Sequence, residues 1–282
     1  GLVGSEMCIR DRYCSGHLIE AACTYYEATG KRKLLDIAVK NAECIYDRFV
    51  MQNTEGIPGH PEIELALLRL YRLTENKHFL ELAQKFINER GKAPDFWARE
   101  AKKRSWSVWN SDPWGNDYRQ SAKPVREQTE AVGHAVRAVY LYTGMADLAA
   151  ETEDKELFAA CRRLWENIVH RKMYITGGIG STVQGEAFTV DYDLPPDTAY
   201  SETCAAIGLI FFAEKMLENE INGEYGDVME LVFYNTVLAG MQLDGKRFFY
   251  VNPLEVDIGI SGKACTHSHL SLIHISEPTR PY

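Results

Sequence analysis

The chain has 282 residues, 45% apolar and 25% charged, a balance that suits a folded globular protein and excludes a disordered one. Its 40 acidic residues outnumber 31 basic ones, for a formal charge of −9; with no Lys/Arg-rich block, nucleic acid is excluded as the expected partner. No apolar run approaches the roughly 18 residues that a membrane span requires, so a soluble protein is expected.

Residues 1–12 (GLVGSEMCIRDR) resemble translated sequencing-adapter read-through, and so do residues 270–282 (LSLIHISEPTRPY). Neither string continues the helical periodicity beside it. Both are expected to be foreign to the natural chain, and Cys8, His269 and His274 stay outside the functional reading.

From Tyr13 onward the pattern is helical and repeated. Residues 26–30 (YEATG) lead through 33–38 (KLLDIA), and residues 71–75 (YRLTE) lead in the same way through 78–83 (HFLELA). Each stretch reads as a helix end, a tight turn and the start of the next helix. A third copy begins at residues 140–144 (YLYTG) and resumes near Glu156; a further pair is expected at about 200–219 and 224–240. Such self-similarity predicts stacked helical hairpins. Leu34, Leu35, Ala38, Ala42, Ile45 and Phe49 fall on one helical face, and Thr29-Gly30 suits a helix end.

The first three hairpins carry a shared dipeptide, Gly16-His17, Gly59-His60 and Gly133-His134. A single histidine there reads as a satisfied polar residue at a helix end. Three at similar repeat positions are expected to converge on the axis of a closed ring. Between the second and third hairpins lies an irregular stretch, about residues 91–126, with Trp97, Trp106, Trp109 and Trp114. Long loops in compact domains are often functional. With Asp112, Asn116 and Asp117 beside them, these tryptophans suit a sugar-binding wall or, equally, anchors that pack the loop.

Residues 176–204 (TGGIGSTVQGEAFTVDYDLPPDTAYSETC) change character. Gly177, Gly178 and Gly180 lack the Gly-Lys-Ser/Thr ending of a phosphate loop and read instead as a flexible active-site loop. Glu186, between Gly185 and Phe188, is a candidate general acid, because aromatic packing raises a carboxyl pKa. Asp191 and Asp193 add carboxylates of a kind that is usually inert. Glu202 and Cys204, two apart at a helix start, could share one metal ion through oxygen and sulfur, but two ligands are too few for a closed tetrahedral zinc site. The seven cysteines are scattered and odd in number, so reduced thiols or metal ligands in a reducing compartment are expected over a disulfide framework. A cytoplasmic location follows from that reading.

These segments carry a family resemblance. Residues 13–21 (YCSGHLIEA), 59–67 (GHPEIELAL), 130–137 (EAVGHAVR), 185–186 (GE), 191–195 (DYDLP), 202–205 (ETCA), 230–235 (ELVFYN) and 249–254 (FYVNPL) resemble glycoside hydrolase family 127, in the same order and across residues 13–256. The resemblance implies an all-α fold, a partial (α/α)6 toroid over residues 13–243, with a short β-rich start at 244–269 and β-sandwich domains beyond. It implies a retaining β-L-arabinofuranosidase acting on arabinose-containing oligosaccharides or glycoconjugates, with a zinc-bound cysteine as nucleophile. By position, Glu186 matches the acid/base and Glu202 and Cys204 match zinc ligands. His17, His60, His134, Glu230 and Tyr250 match residues that hold the sugar hydroxyls.

The departure concerns the nucleophile. In the family an adjacent cysteine pair lies downstream of the Tyr250 region, and Cys265 does not match it. The chain is therefore expected to be an incomplete, inactive piece with an unfinished zinc site. Homo-oligomers are left open by the sequence. Other readings are a different α/α-toroid carbohydrate enzyme, such as an unsaturated glucuronyl hydrolase or a sugar epimerase, or a non-enzymatic helical-repeat scaffold.

Overall fold

The computed structural model describes residues 7–103 and 115–255. The chain forms two compact units, Gly1–Glu127 with Gly144–Phe158, and Gln128–Thr143 with Ala159–Tyr282. The all-α class holds: the described residues are helices joined by turns and isolated β-bridges.

The first unit is built on two hairpins. Helices α1 (Met7–Thr29) and α2 (Lys33–Tyr46) form one, α3 (Ile63–Thr74) and α4 (Lys77–Glu89) the other, and α1 packs on both α2 and α3. Burial follows the helical period: Leu35, Ala38, Ala42 and Tyr46 on α2, and Ile63, Ala66, Leu67 and Leu70 on α3. Two different residues close the first helix of each hairpin in the left-handed region. Gly30, at φ +69°, donates its N–H to the Tyr26 carbonyl at 2.7 Å, and Glu75, at φ +56°, does the same to Tyr71 at 2.7 Å. Asn76 then caps α4, its side chain accepting from the His78 N–H at 3.1 Å.

Helix α1 begins at Met7, so the helical pattern runs on into residues 7–12, where the sequence was expected to break. Arg12 takes part in the packing of the unit. Its guanidinium lies 4.8 Å from the centre of the Phe49 ring and donates to the Ile57 carbonyl at 2.8 Å.

After α4 comes the short α5 (Phe96–Lys103). Trp97 is buried with Ile57 and Phe96 and donates from Nε1 to Ser121 Oγ at 3.0 Å, with the Arg119 guanidinium 4.7 Å from its ring. Of the two readings for the tryptophans, Trp97 therefore takes the loop-anchoring one. Asn116 donates to the Pro94 carbonyl at 2.7 Å, and Asp117 opens a 3-10 turn. Trp106, Trp109, Trp114 and Asp112 lie outside the described residues.

The third hairpin differs from expectation. Helix α6 (Ala135–Thr152) runs straight through Thr143-Gly144, and the turn into α7 (Lys155–Asn167) falls at Glu153, φ +53°. Gly144 serves packing here: a Cβ on it would lie 3.2 Å from Glu64 Cβ. Asp154 caps α7, accepting from the Leu157 N–H at 2.9 Å.

In the second unit, α8 (Thr203–Asn219) packs on α9 (Gly223–Val232), as the fourth hairpin requires. Helix α8 buries Ala205, Ala206, Leu209, Phe212, Ala213 and Met216. Trp165 meets Phe212 and Tyr225 edge-on, with ring centres 5.6 and 4.9 Å apart. A π-helical turn, Phe233–Leu238, extends α9. Among the described residues near this end, isolated bridges pair Met241 with Phe248 and Glu202 with Val251; residues 256–269 of the expected β-rich start lie outside the described residues. No helix among the described residues is long and apolar enough to cross a membrane. Cys14, Cys23, Cys44, Cys161 and Cys204 are not joined in disulfides.

Candidate functional site

The polar site of the second unit grows out of a close-packed glycine turn. Gly177 sits at φ +86° with room for no side chain, since a Cβ would be 2.7 Å from Val232 Cγ2; one on Gly178 would be 2.0 Å from Ser201 Oγ. All of residues 177–180 are buried. This corrects the expectation of a flexible loop: the glycines allow backbone to touch side chains from three other segments. Ser201 N–H donates to the Gly180 carbonyl at 2.8 Å, which ties this turn to the start of α8.

Glu186 projects from a 3-10 turn, Gln184–Glu186, and is itself left-handed at φ +52°. A non-glycine residue held there costs on the order of 1 kcal/mol and persists where surroundings fix it. The surroundings are two donors. Tyr200 Oη donates to Glu186 Oε1 at 2.9 Å, and His134 Nε2 lies 2.9 Å from Oε2. His134 Nδ1 accepts the Arg137 N–H at 3.3 Å, so the ring hydrogen is on Nε2 and points at the carboxylate. Burial lowers the His134 pKa, with Glu186 opposing, and the ring stays neutral. The contacts that fix Glu186 are thus hydrogen bonds from Tyr200 and His134.

Beside it, Glu202 is buried at the N-terminus of α8, with one oxygen 3.3 Å from Cys204 Sγ and the other buried without a hydrogen-bond partner. Burial, then the charge of Glu186, raises the Glu202 carboxyl well above its usual range, with a Tyr250 hydrogen bond working against them. Burial, then Glu202, pushes the Cys204 thiol up as well. Two acidic groups, desolvated together with an orphaned oxygen, are the electrostatic setting that a divalent cation satisfies. Carboxylate and sulfur are also the donor types that zinc takes. His134, Glu186 and Glu202 too offer ligand atoms within 4.8 Å of one another. In that trio, however, both Glu186 oxygens already hold donors and His134 Nε2 carries a hydrogen, so only Glu202 offers a bare oxygen.

Tyr250 reaches this cluster because its segment lies along the start of α8. Thr203 N–H donates to the Tyr250 carbonyl at 2.9 Å, and Asn252 Nδ2 donates to the Ser201 carbonyl at 2.9 Å. The Tyr250 and Tyr200 rings meet edge-on, with centres 6.1 Å apart. Glu230 stands exposed on α9, outside this hydrogen-bonded cluster. Asp191 is structural, held by Arg171 at 2.8 Å and Asn167 at 3.0 Å.

The first unit holds a second cluster. His17 lies within α1, so only His60 and His134 precede a hairpin as the repeat suggested. Tyr13 touches both rings of this cluster, its centre 4.4 Å from that of His17 and 4.4 Å from that of His60. His17 Nδ1 lies 3.1 Å from Glu62 Oε1, and His60 Nδ1 lies 2.7 Å from the Pro61 carbonyl. Sequence reasoning missed Tyr200, Tyr13 and Glu62. Tyr200, two residues before Glu202, and Glu62, two after His60, stood inside segments already singled out, but spacing alone does not show a side chain's partner.

Paired helices carrying carboxylate, imidazole and phenol clusters place the chain among helical-hairpin proteins with carboxylate-centred polar sites. Residues 8–269 match the β-L-arabinofuranosidase, GH127 catalytic domain family, and the chain belongs to that family. It is 46% identical over 254 residues to a non-reducing end β-L-arabinofuranosidase of Bifidobacterium longum subsp. longum, covering 87% of this chain and 38% of that protein. Among solved structures it resembles a GH127 β-L-arabinofuranosidase from Geobacillus stearothermophilus T6, with TM-score 0.82, 50% identity, and 93% and 41% of the two chains covered. A second GH127 β-arabinofuranosidase matches with TM-score 0.75, 44% identity, and 86% and 36% covered. The chain thus spans about two fifths of the length of the relatives it matches.

Proposed function

We propose that this chain supplies sugar-holding and proton-transferring groups of a retaining hydrolase of β-L-arabinofuranosides. The observation that carries the reading is Glu186, gripped on both oxygens by Tyr200 and His134 and set beside the buried Glu202. In its acid form Glu186 donates a proton to the departing glycosidic oxygen; as carboxylate it then takes one from the incoming water. Tyr200 and His134 hold the carboxyl group in place through both steps. The nucleophile of this course is a cysteine thiolate, which we assign to no described residue.

Glu202 and Cys204 would hold a zinc ion, with further ligands from elsewhere in the protein. When bound, zinc keeps sulfur ligands as thiolates at neutral pH. His17, His60, Glu230 and Tyr250 are assigned to sugar hydroxyls, whereas His134, with its two ring nitrogens engaged by the Arg137 N–H and by Glu186, serves through Glu186 instead of holding the sugar. An arabinose-containing oligosaccharide or glycoconjugate is the substrate. Work in a reducing compartment, the cytoplasm, fits a chain with an odd number of scattered cysteines.

Replacing Glu186→Gln in the full-length protein should lower turnover of an aryl β-L-arabinofuranoside by about 10²–10⁴-fold, the usual share of a general acid/base. Unchanged turnover in a folded variant would exclude the assignment.

A further inference from the structure

We propose that Glu62 is the positioning residue of His17, fixing both the orientation of the ring and the nitrogen that carries its hydrogen. The inference rests on the sugar-holding role assigned to His17. The geometry is one-sided: the His17 side chain is 44% exposed, whereas the Glu62 carboxyl it meets at 3.1 Å is 2% exposed. A surface-reaching imidazole is therefore anchored on a buried acid. The backbone is shaped for it, since a Cβ on Gly16 would lie 2.5 Å from Glu62 Cγ and 2.9 Å from the Ile63 nitrogen. Glu62 is braced in turn, its N–H donating to Glu64 Oε2 at 3.0 Å while Glu64 Oε1 meets the buried Arg90 at 3.3 Å.

Which atom carries the hydrogen follows from the partners. Burial, then the Glu20 and Glu64 carboxylates, pushes Glu62 up to about 8, and burial lowers His17. At neutral pH the pair is therefore an acid and a neutral imidazole rather than an ion pair. Glu62 Oε2 is buried without a hydrogen-bond partner, so the acid hydrogen belongs on Oε1 and is donated to Nδ1. The ring hydrogen of His17 is then on Nε2, which makes that atom a donor. His60 is the reverse. Its Nδ1 faces a carbonyl oxygen, which only accepts, so Nδ1 carries the hydrogen and Nε2 is an acceptor. The two rings against the same Tyr13 thus carry their hydrogens on different nitrogens, Nε2 in His17 and Nδ1 in His60.

Ring-nitrogen NMR of the ¹⁵N-histidine-labelled full-length protein tests this directly. His17 is expected to show the Nε2–H tautomer and His60 the Nδ1–H tautomer. In Glu62→Leu the His17 signal should change to a tautomer mixture while His60 keeps its own, and affinity for methyl β-L-arabinofuranoside should fall about tenfold, the worth of one oriented hydrogen bond. Glu62→Gln, whose amide N–H can still donate to Nδ1, should restore the His17 signal. A hydrogen on His17 Nδ1 in the unaltered protein, or a Leu variant with an unchanged His17, would overturn the proposal; should that variant not fold, the unaltered protein and the Gln variant decide it. The expected tautomers in a protein that binds no arabinofuranoside would instead sink the sugar reading and leave the positioning role standing.

Discussion

At Glu186 a phenol and an imidazole hold one carboxyl group by its two oxygens, and the left-handed backbone there is retained because those two contacts need it. Removing one donor with Tyr200→Phe is expected to lower kcat about tenfold with KM little changed, since the phenol steadies the proton-transferring group; an unaffected kcat would contradict that role. Glu62 meets the opposite condition, burial with a single side-chain partner. Its carboxyl, at about 8, keeps its proton when folded but loses it near pH 4.3 when unfolded. Between those values the folded state binds more protons, so this group's contribution to stability is full below about pH 4.3 and is lost as pH rises toward 8. Glu62→Gln does not titrate. Urea unfolding at pH 5 and pH 8 should show the Gln variant gaining on the unaltered protein by a few kcal/mol at the higher pH, and parallel curves would refute the buried-acid assignment. At Glu202 and Cys204 the expected outcome is chemical: Cys204→Ser in the full-length protein should lower bound zinc, read by elemental analysis, and unchanged zinc would remove Cys204 from the ligand set.

Two glycines show what distinguishes one helix from another. A Cβ on Gly208 of α8 would lie 2.4 Å from Val139 Cγ2, whereas one on Gly226 of α9 would meet nothing within 4 Å. Gly208→Ala should therefore destabilise by about 1–3 kcal/mol, the usual cost of overpacking. Gly226→Ala should stabilise by about 0.5–1 kcal/mol through helix propensity. Thermal unfolding of the two variants in opposite directions is the check. The same distinction explains how much of the fold the sequence revealed. Hairpin turns at Gly30 and Glu75 were legible because a repeat places each between two apolar faces. Thr143-Gly144 copied the turn signal of Thr29-Gly30 but lies within α6, where Gly144 faces Glu64 closely, a Cβ on it falling 3.2 Å from Glu64 Cβ, a contact invisible in sequence. Gly177 and Gly178 misled in the same way, reading as flexibility where the structure uses them for contact. For the site, residue types at Glu186, Glu202, Cys204 and His134 were readable from composition and order, but Tyr200 and Glu62 act through partners that only folding supplies.

At the scale of the molecule, family membership and helical architecture agree, while the chain spans 38% of the length of its Bifidobacterium relative. Its formal charge is −9, and no helix among the described residues is long and apolar enough to cross a membrane. The central claim is that Glu186 moves the proton in a retaining glycoside cleavage, and azide rescue measures it most directly. In the full-length protein, Glu186→Ala given an aryl β-L-arabinofuranoside should stall with water as acceptor, because no base activates it. Added azide needs no base, so turnover should return and yield an arabinofuranosyl azide of retained anomeric configuration. Water-driven turnover equal to that of the unaltered protein, or a stalled variant that azide leaves untouched, would contradict the account.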